Sequence, residues 1–112
     1  MTITLKQFGS DKFSQSGAGI TLYTVPASTK AIIKSIDIDA LTAVAHDVSV
    51  YLVPTGQSKA DEYALFKEIE LPADGHLTWT GAQILDTAGD FIFVEADADN
   101  VATIIASGVE ES

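Results

Sequence analysis

The stretch from Ile20 to Ala40, Ile-Thr-Leu-Tyr-Thr-Val-Pro-Ala-Ser-Thr-Lys-Ala-Ile-Ile-Lys-Ser-Ile-Asp-Ile-Asp-Ala, constrains the fold more than any other part of the chain. β-Branched and aromatic residues dominate both halves, and Pro26 to Thr29 divide them, which predicts two strands joined by a turn. Pro26 fixes its own φ and offers no N–H, so the first strand stops there or lies at a sheet edge. The same bias runs through the whole chain: 30 of 112 residues are Val, Ile or Thr, which favours an all-β class. A chain of this length buries roughly two-thirds of its unfolded surface and forms one domain.

The remaining strands follow from alternation and turn residues. In Lys30–Ala40, Lys34 interrupts the apolar parity, and a bulge at Lys34 and Ser35 brings Ile33, Ile36 and Ile38 to one face. His46–Val53 turns Val48, Val50 and Leu52 inward and Ser49 and Tyr51 outward. Ser58 and Asp61 resemble a capping box, which predicts one helical turn in the following loop. Leu65–Leu71 places Leu65, Ile69 and Leu71 on one face and Phe66, Glu68 and Glu70 on the other. His76–Thr80 is broken by Gly81 and followed by a short apolar segment, Gln83–Leu85. Phe91–Ala96 is apolar on both faces, as a central or covered strand is. Val101–Val109 is the last strand. Seven or eight short strands with turn signals every 8 to 12 residues or so predict an antiparallel β-sandwich, jelly-roll or Ig-like.

Residues 1–18 have sparse apolar positions (Ile3, Leu5, Phe8, Phe13) among Ser, Gln and Gly. They read either as an ordinary first strand or as an N-terminal arm preceding a domain of residues 19–112. In the second reading Leu5, Phe8 and Phe13 anchor on a neighbouring subunit.

Charge and composition exclude several functions. Net charge is −10, with no arginine; residues 61–112 hold twelve acids against Lys67 alone. Nucleic-acid binding requires cations to displace counterions and read bases, so this balance argues against it. Without cysteine there is no disulfide, thiolate metal site or thiol nucleophile. The N-terminus lacks a signal peptide's pattern and no run approaches the roughly 18 apolar residues of a membrane span, which predicts a soluble protein made in a cytoplasm.

Chemical constellations are few. His46 and Asp47 are consecutive in a strand and point to opposite faces; His76 follows a turn. No Gly-x-Ser-x-Gly elbow is present, so no enzyme and no cofactor are expected. Glu95, Asp97 and Asp99 offer oxygens that a hard cation favours, but Val101 occupies the next ligand position of an EF-hand loop, and a solvated acidic turn explains them better. Asp37 and Asp39 share a strand face. Tyr51, Tyr63, Phe66 and Trp79 would make a sugar-stacking platform if exposed, although Trp79 alternates with Leu77 as a core residue does. Phe66, Phe91 and Phe93 fall on outward positions, and exposed apolar residues of that kind mark protein interfaces.

Three runs carry a resemblance: Leu-Tyr-Thr-Val-Pro-Ala-Ser-Thr-Lys-Ala-Ile-Ile-Lys-Ser-Ile (22–36), Val-Ser-Val-Tyr-Leu-Val-Pro-Thr-Gly (48–56) and Ala-Gly-Asp (88–90) before an apolar strand. Over residues 20–109 the chain resembles small β-sandwich virion structural proteins of tailed bacteriophages. The resemblance implies a capsid decoration or stabilisation protein, or a tail, collar or fibre component. Its partners would be a major capsid protein or tail and collar proteins, together with copies of itself, a trimer included. The competing expectation is a carbohydrate-binding adhesion module. The residues expected at the interface are Leu5, Phe8, Phe13, Phe66, Phe91 and Phe93.

Overall fold

A computed structural model describes residues 3–13 and 19–112, without the side chains of Ser10 and Asp11. Among these residues lie eight strands: β1 (Ile3–Lys12), β2 (Ile20–Thr24), β3 (Lys30–Ala40), β4 (His46–Val53), β5 (Ala64–Leu71), β6 (His76–Leu85), β7 (Phe91–Ala96) and β8 (Ala102–Glu111). One 3₁₀ turn, Asp61–Tyr63, interrupts the loop before β5. Its N-cap is Ala60, without a side-chain hydrogen bond, so the turn forms where the sequence predicts it but Ser58 does not cap it.

The strands form two four-stranded antiparallel sheets, ordered β1-β8-β3-β6 and β2-β7-β4-β5. The first strand pairs with the last, the second with the seventh, the third with the sixth and the fourth with the fifth. That is one long antiparallel ribbon rolled up, and β3–β8 and β4–β7 pairing closes the roll. The architecture is an eight-stranded jelly roll, which resolves the choice the sequence leaves between jelly-roll and Ig-like sandwiches.

Side chains from both inner faces fill the space between the sheets, with Ile33, Ile36, Ile38, Val48, Val50, Ile92, Val94 and Ile104 each at most 1% exposed. The predicted irregularity in β3 is present: the register shifts between Ile33 and Ser35 against both neighbours. One residue, Lys34, is skipped, and Ile33, Ile36 and Ile38 all point inward. Beside it, a Cβ on Gly108 would lie 1.9 Å from the Ile32 carbonyl oxygen, so only glycine lets β8 approach β3 at this level.

Four expectations from the sequence are corrected here. β6 is continuous through Gly81, because Thr80 and Gln83 both keep partners in β3. Phe66 points inward: β5 shifts register between Ile69 and Phe66, with Glu68 at φ 52°, and Phe66 falls opposite Val50. Ser49 and Tyr51 do lie on the outer face of their sheet but are buried, at 4% and 1% exposed: Lys59 of the loop after β4 lies over Tyr51, and Ser49 accepts the Glu68 N–H of β5 at 2.8 Å. Finally, Phe8 and Phe13 belong to this chain's own core, at 5% and 0% exposed. A register shift between Gln7 and Gly9 turns Phe8 inward, where its ring lies 4.5 Å from that of Tyr23. Phe13 donates its N–H to the Ala102 carbonyl and accepts that of Asn100, both at 2.9 Å. Of the two readings of the N-terminal residues, residues 3–13 follow the first-strand one, and neither phenylalanine is free to reach a neighbour.

A core position makes Phe13 expensive to truncate. Phe13→Ala is expected to cost about 3–5 kcal/mol of unfolding free energy in urea titrations of the isolated chain; an anchor for another subunit would leave that midpoint unchanged.

Candidate functional site

The two sheets have outer faces of different character. On the β2-β7-β4-β5 sheet, Phe91, Phe93 and Glu95 of β7 lie opposite Val53, Tyr51 and Ser49 of β4. The segment 54–60 covers this patch. Lys59 Nζ lies 2.9 and 3.0 Å from the two carboxylate oxygens of Glu95 and 5.6 Å from the centre of the Tyr51 ring. The Tyr51 hydroxyl also donates to Glu95, at 3.3 Å. Burial first, and then the neighbouring carboxylate, push the Tyr51 hydroxyl pKa above its ordinary value. At the root of the loop, Asp90 accepts the N–H groups of Thr55 and Thr87 at 2.9 and 3.2 Å. Phe93 is overlaid by the backbone at Gly19, where a Cβ would lie 2.7 Å from the ring. Phe91 and Phe93 are both half-buried, Phe93 under this chain's own backbone at Gly19.

The acidic residues near this face are engaged internally. Asp97 lies 2.7 Å from His46 Nδ1 and accepts the Asp47 N–H at 3.2 Å. A cavity of about 80 Å³ lies among Asp47, Ser49, Glu68, Glu95, Ala96 and Asp97. Its deepest carboxylate, Glu95, is matched by Lys59. Among the described residues no group of three or more His, Asp or Glu is arranged to hold a metal ion.

The other outer face is open. Leu5 lies opposite Val109, Val109 opposite Ile32, and Ile32 opposite Ile84. One register row therefore carries an apolar side chain on each of the four strands. Leu5 and Ile84, at its ends, are 86% and 64% exposed, and Ile105 two rows away is 42% exposed. Lys30 and Lys34 flank Ile32 and make no ion pair among the described residues. Between these rows Ser35 and Ser107 share a hydrogen bond at 3.0 Å. Of the residues expected at an interface, only Leu5 is fully exposed. Ile84, Ile32 and Val109 are missed by sequence reasoning because their exposure depends on which sheet face is covered. Alternation alone gives only the parity.

At the far end of this face, Asp37 and Asp39 meet His76. Asp39 hydrogen-bonds His76 Nδ1, Thr78 Oγ1 donates to Asp37 at 3.0 Å, and His76 Nε2 lies 3.6 Å from Asp37. The Asp39 hydrogen bond, followed by the charges of both aspartates, raises the His76 pKa above its ordinary 6.5. The aromatic residues proposed for sugar stacking share no surface. Tyr51 is buried on one outer face, Phe66 and Trp79 pack against the core, and Tyr63 lies in the 3₁₀ turn.

What the fold and this surface define is a jelly-roll module with one covered face and one open apolar face. No protein-family model matches the chain, and no curated protein matches it. Among solved structures, the chain is similar to one described as the structure of the infectious bursal disease virus Gx strain, at 10% identity and TM-score 0.42, over 97% of this chain and 36% of that one. A second, the VP2 subviral particle of infectious bursal disease virus, matches at 11% identity and TM-score 0.24, over 96% and 37% of the two chains. The chain spans little more than a third of either length, and likeness this slight carries no functional inference.

Two measurements probe these clusters. Lys59→Ala leaves Glu95 buried without its cation and is expected to cost about 1–3 kcal/mol, discounted from a fully buried pair because Lys59 is partly exposed; denaturant titration reads it. An NMR titration should place the His76 midpoint above 6.5, and Asp39→Asn should return it toward that value. Because the folded-state pKa is the higher one, this group's stabilisation is complete at pH below the unfolded value and disappears as pH rises through the raised midpoint.

Proposed function

We propose that this chain is a virion structural protein acting by protein–protein assembly, in the role of a capsid decoration or stabilisation protein of a tailed bacteriophage. The observation that carries the reading is the apolar row Leu5–Val109–Ile32–Ile84, which crosses all four strands of one sheet with Leu5 and Ile84 exposed and Val109 and Ile32 half-buried between them. Exposed apolar rows of this kind are interaction surfaces in soluble proteins. The jelly roll supports the reading as an architecture common in capsid proteins, although lectin domains and cupins share it. The sequence resemblance over residues 20–109 supplies the phage class. In this reading the row docks on a lattice of other virion proteins, and the covered face, with its buried Glu95–Lys59 pair, turns outward.

The adhesion-module alternative loses its physical basis, since Tyr51 is 1% exposed and cannot stack on a sugar. Each histidine is paired with an aspartate, and His76 Nε2 also hydrogen-bonds the Thr78 hydroxyl, whose own proton goes to Asp37.

The test is incorporation into particles. Leu5→Glu with Ile32→Glu should leave the circular dichroism spectrum of the purified chain unchanged and lower its occupancy on particles about tenfold or more, the scale of one interface hot spot. Cryo-EM of particles carrying the unaltered chain should show its density spread over the capsid lattice. Full occupancy by the double variant would overturn the docking row. A single ring at the tail would reassign the chain to a collar or tail component.

A further inference from the structure

The four sheet edges are β1 and β6 in one sheet and β2 and β5 in the other. β1 and β2 lie against each other, with a Gly9 Cβ position only 2.9 Å from the Leu22 carbonyl oxygen. β1 also carries Lys6, Lys12 and the bulge at Phe8. β5 is blunted by Lys67, Glu68 and Glu70, by the positive φ of Glu68 and by its register shifts against β4. These are the usual protections of an exposed strand. β6 shares only a register shift, at Gly81 and Ala82 against β3; from Leu77 to Leu85 it contains no charged residue and no proline. Thr78, Thr80, Gly81, Ala82, Gln83 and Ile84 are all exposed.

From this contrast we infer that β6 is a self-pairing edge, joined antiparallel to β6 of a second copy across a two-fold axis at Gly81. Charge selects the occupant. Copies with a net charge of −10 repel one another, and this uncharged edge is where two of them can approach at least cost. The register follows from the faces. With Gly81 on the axis, Thr80 falls opposite Ala82 of the copy, Trp79 opposite Gln83, Thr78 opposite Ile84 and Leu77 opposite Leu85. Within one chain Thr78 and Ile84 pair with the outward residues Asp37 and Ile32. Leu77, Trp79, Gln83 and Leu85 pair with the inward residues Ile38, Ile36, Ile33 and Ala31. Every cross-copy pair therefore joins like faces, whereas a one-residue slip would set inward residues against outward ones. The two four-stranded sheets become one continuous sheet of eight, and the arrangement is isologous, as a closed dimer requires. It concerns the free chain, so its failure would leave the lattice-docking reading standing.

The chain has no cysteine, which makes a cross-linking test clean. Thr78 and Ile84 are about 20 Å apart along one strand, beyond the roughly 7 Å reach of a disulfide, so they cannot join within a chain. The variant carrying both Thr78→Cys and Ile84→Cys should form a covalent dimer under mild oxidation, and each single variant should form far less. In sedimentation the unaltered chain should run as a dimer. The variant with Thr80→Lys and Ala82→Lys, which sets like charges against each other, should run as a folded monomer. A monomeric or trimeric unaltered chain, equal cross-linking by the single variants, or a dimer that survives the lysines would each overturn the proposal.

Discussion

The closing ladder between β3 and β8 is the constraint on which the rest of the structure depends. It joins the first strand pair of the rolled ribbon to the third, and it runs from Lys30 opposite Glu111 to Ala40 opposite Ala102. Halfway along, the skipped residue Lys34 inverts the parity of β3, and only an unsubstituted Gly108 allows the Ile32 carbonyl to sit where it does. Were β3 regular, either Ile33 or the Ile36–Ile38 pair would face solvent, and about 1.5–3 kcal/mol of burial per displaced isoleucine would be forfeited. The bulge therefore lets one strand contribute an apolar side chain to the core along its whole length. β1 makes the same adjustment at Phe8 against the same part of β8.

Much of the fold is legible in the sequence because it rests on local patterns. The strand limits of His46–Val53, the bulge at Lys34 and the turns at Pro26–Thr29 and Pro72–Gly75 each follow from a few neighbouring residues. What is not legible depends on distant partners. Nothing near Tyr51 announces that Lys59, Glu95 and the loop between β4 and β5 will bury it. Phe66 changes face because of a register shift that arises only in pairing with β4. Phe8 and Phe13 look like anchors for a neighbour in a polar segment, and they become core residues because β8 offers that segment a ladder. For the candidate site, Leu5 is identifiable from the sequence, whereas Ile84, Ile32 and Val109 join it only through a register between strands far apart in the chain.

The assembly reading rests on the unequal treatment of the two outer faces. One sheet spends a loop, a buried ion pair and a backbone crossing at Gly19 on covering its outer aromatics. Burying an ion pair contributes little to stability by itself, because desolvation offsets the attraction; here it fixes where the loop lies, over Tyr51 and beside Phe93. The other sheet leaves an aliphatic row in solvent while its polar neighbours, Ser35 and Ser107, satisfy each other. A chain able to cover one face has a means of covering the other, and leaving it bare costs solubility.

In the assembly reading, charge would keep such a chain dispersed until it meets its surface. Twelve of the sixteen acids fall in residues 61–112, and several of them line β5 and the turns at the sandwich ends. The apolar row is instead flanked by Lys30 and Lys34, with Glu111 opposite Lys30, and the β6 edge carries no charge between Leu77 and Leu85. Like-charge repulsion then disfavours random association through most of the surface, while association through the row or through β6 escapes it. These two surfaces have different geometry, a face and an edge of one sheet, so a copy paired along β6 still presents its row to a third body. Edge pairing would set two rows side by side on one continuous sheet, and two linked weak contacts bind a lattice far more tightly than either alone because the second forms at high effective concentration.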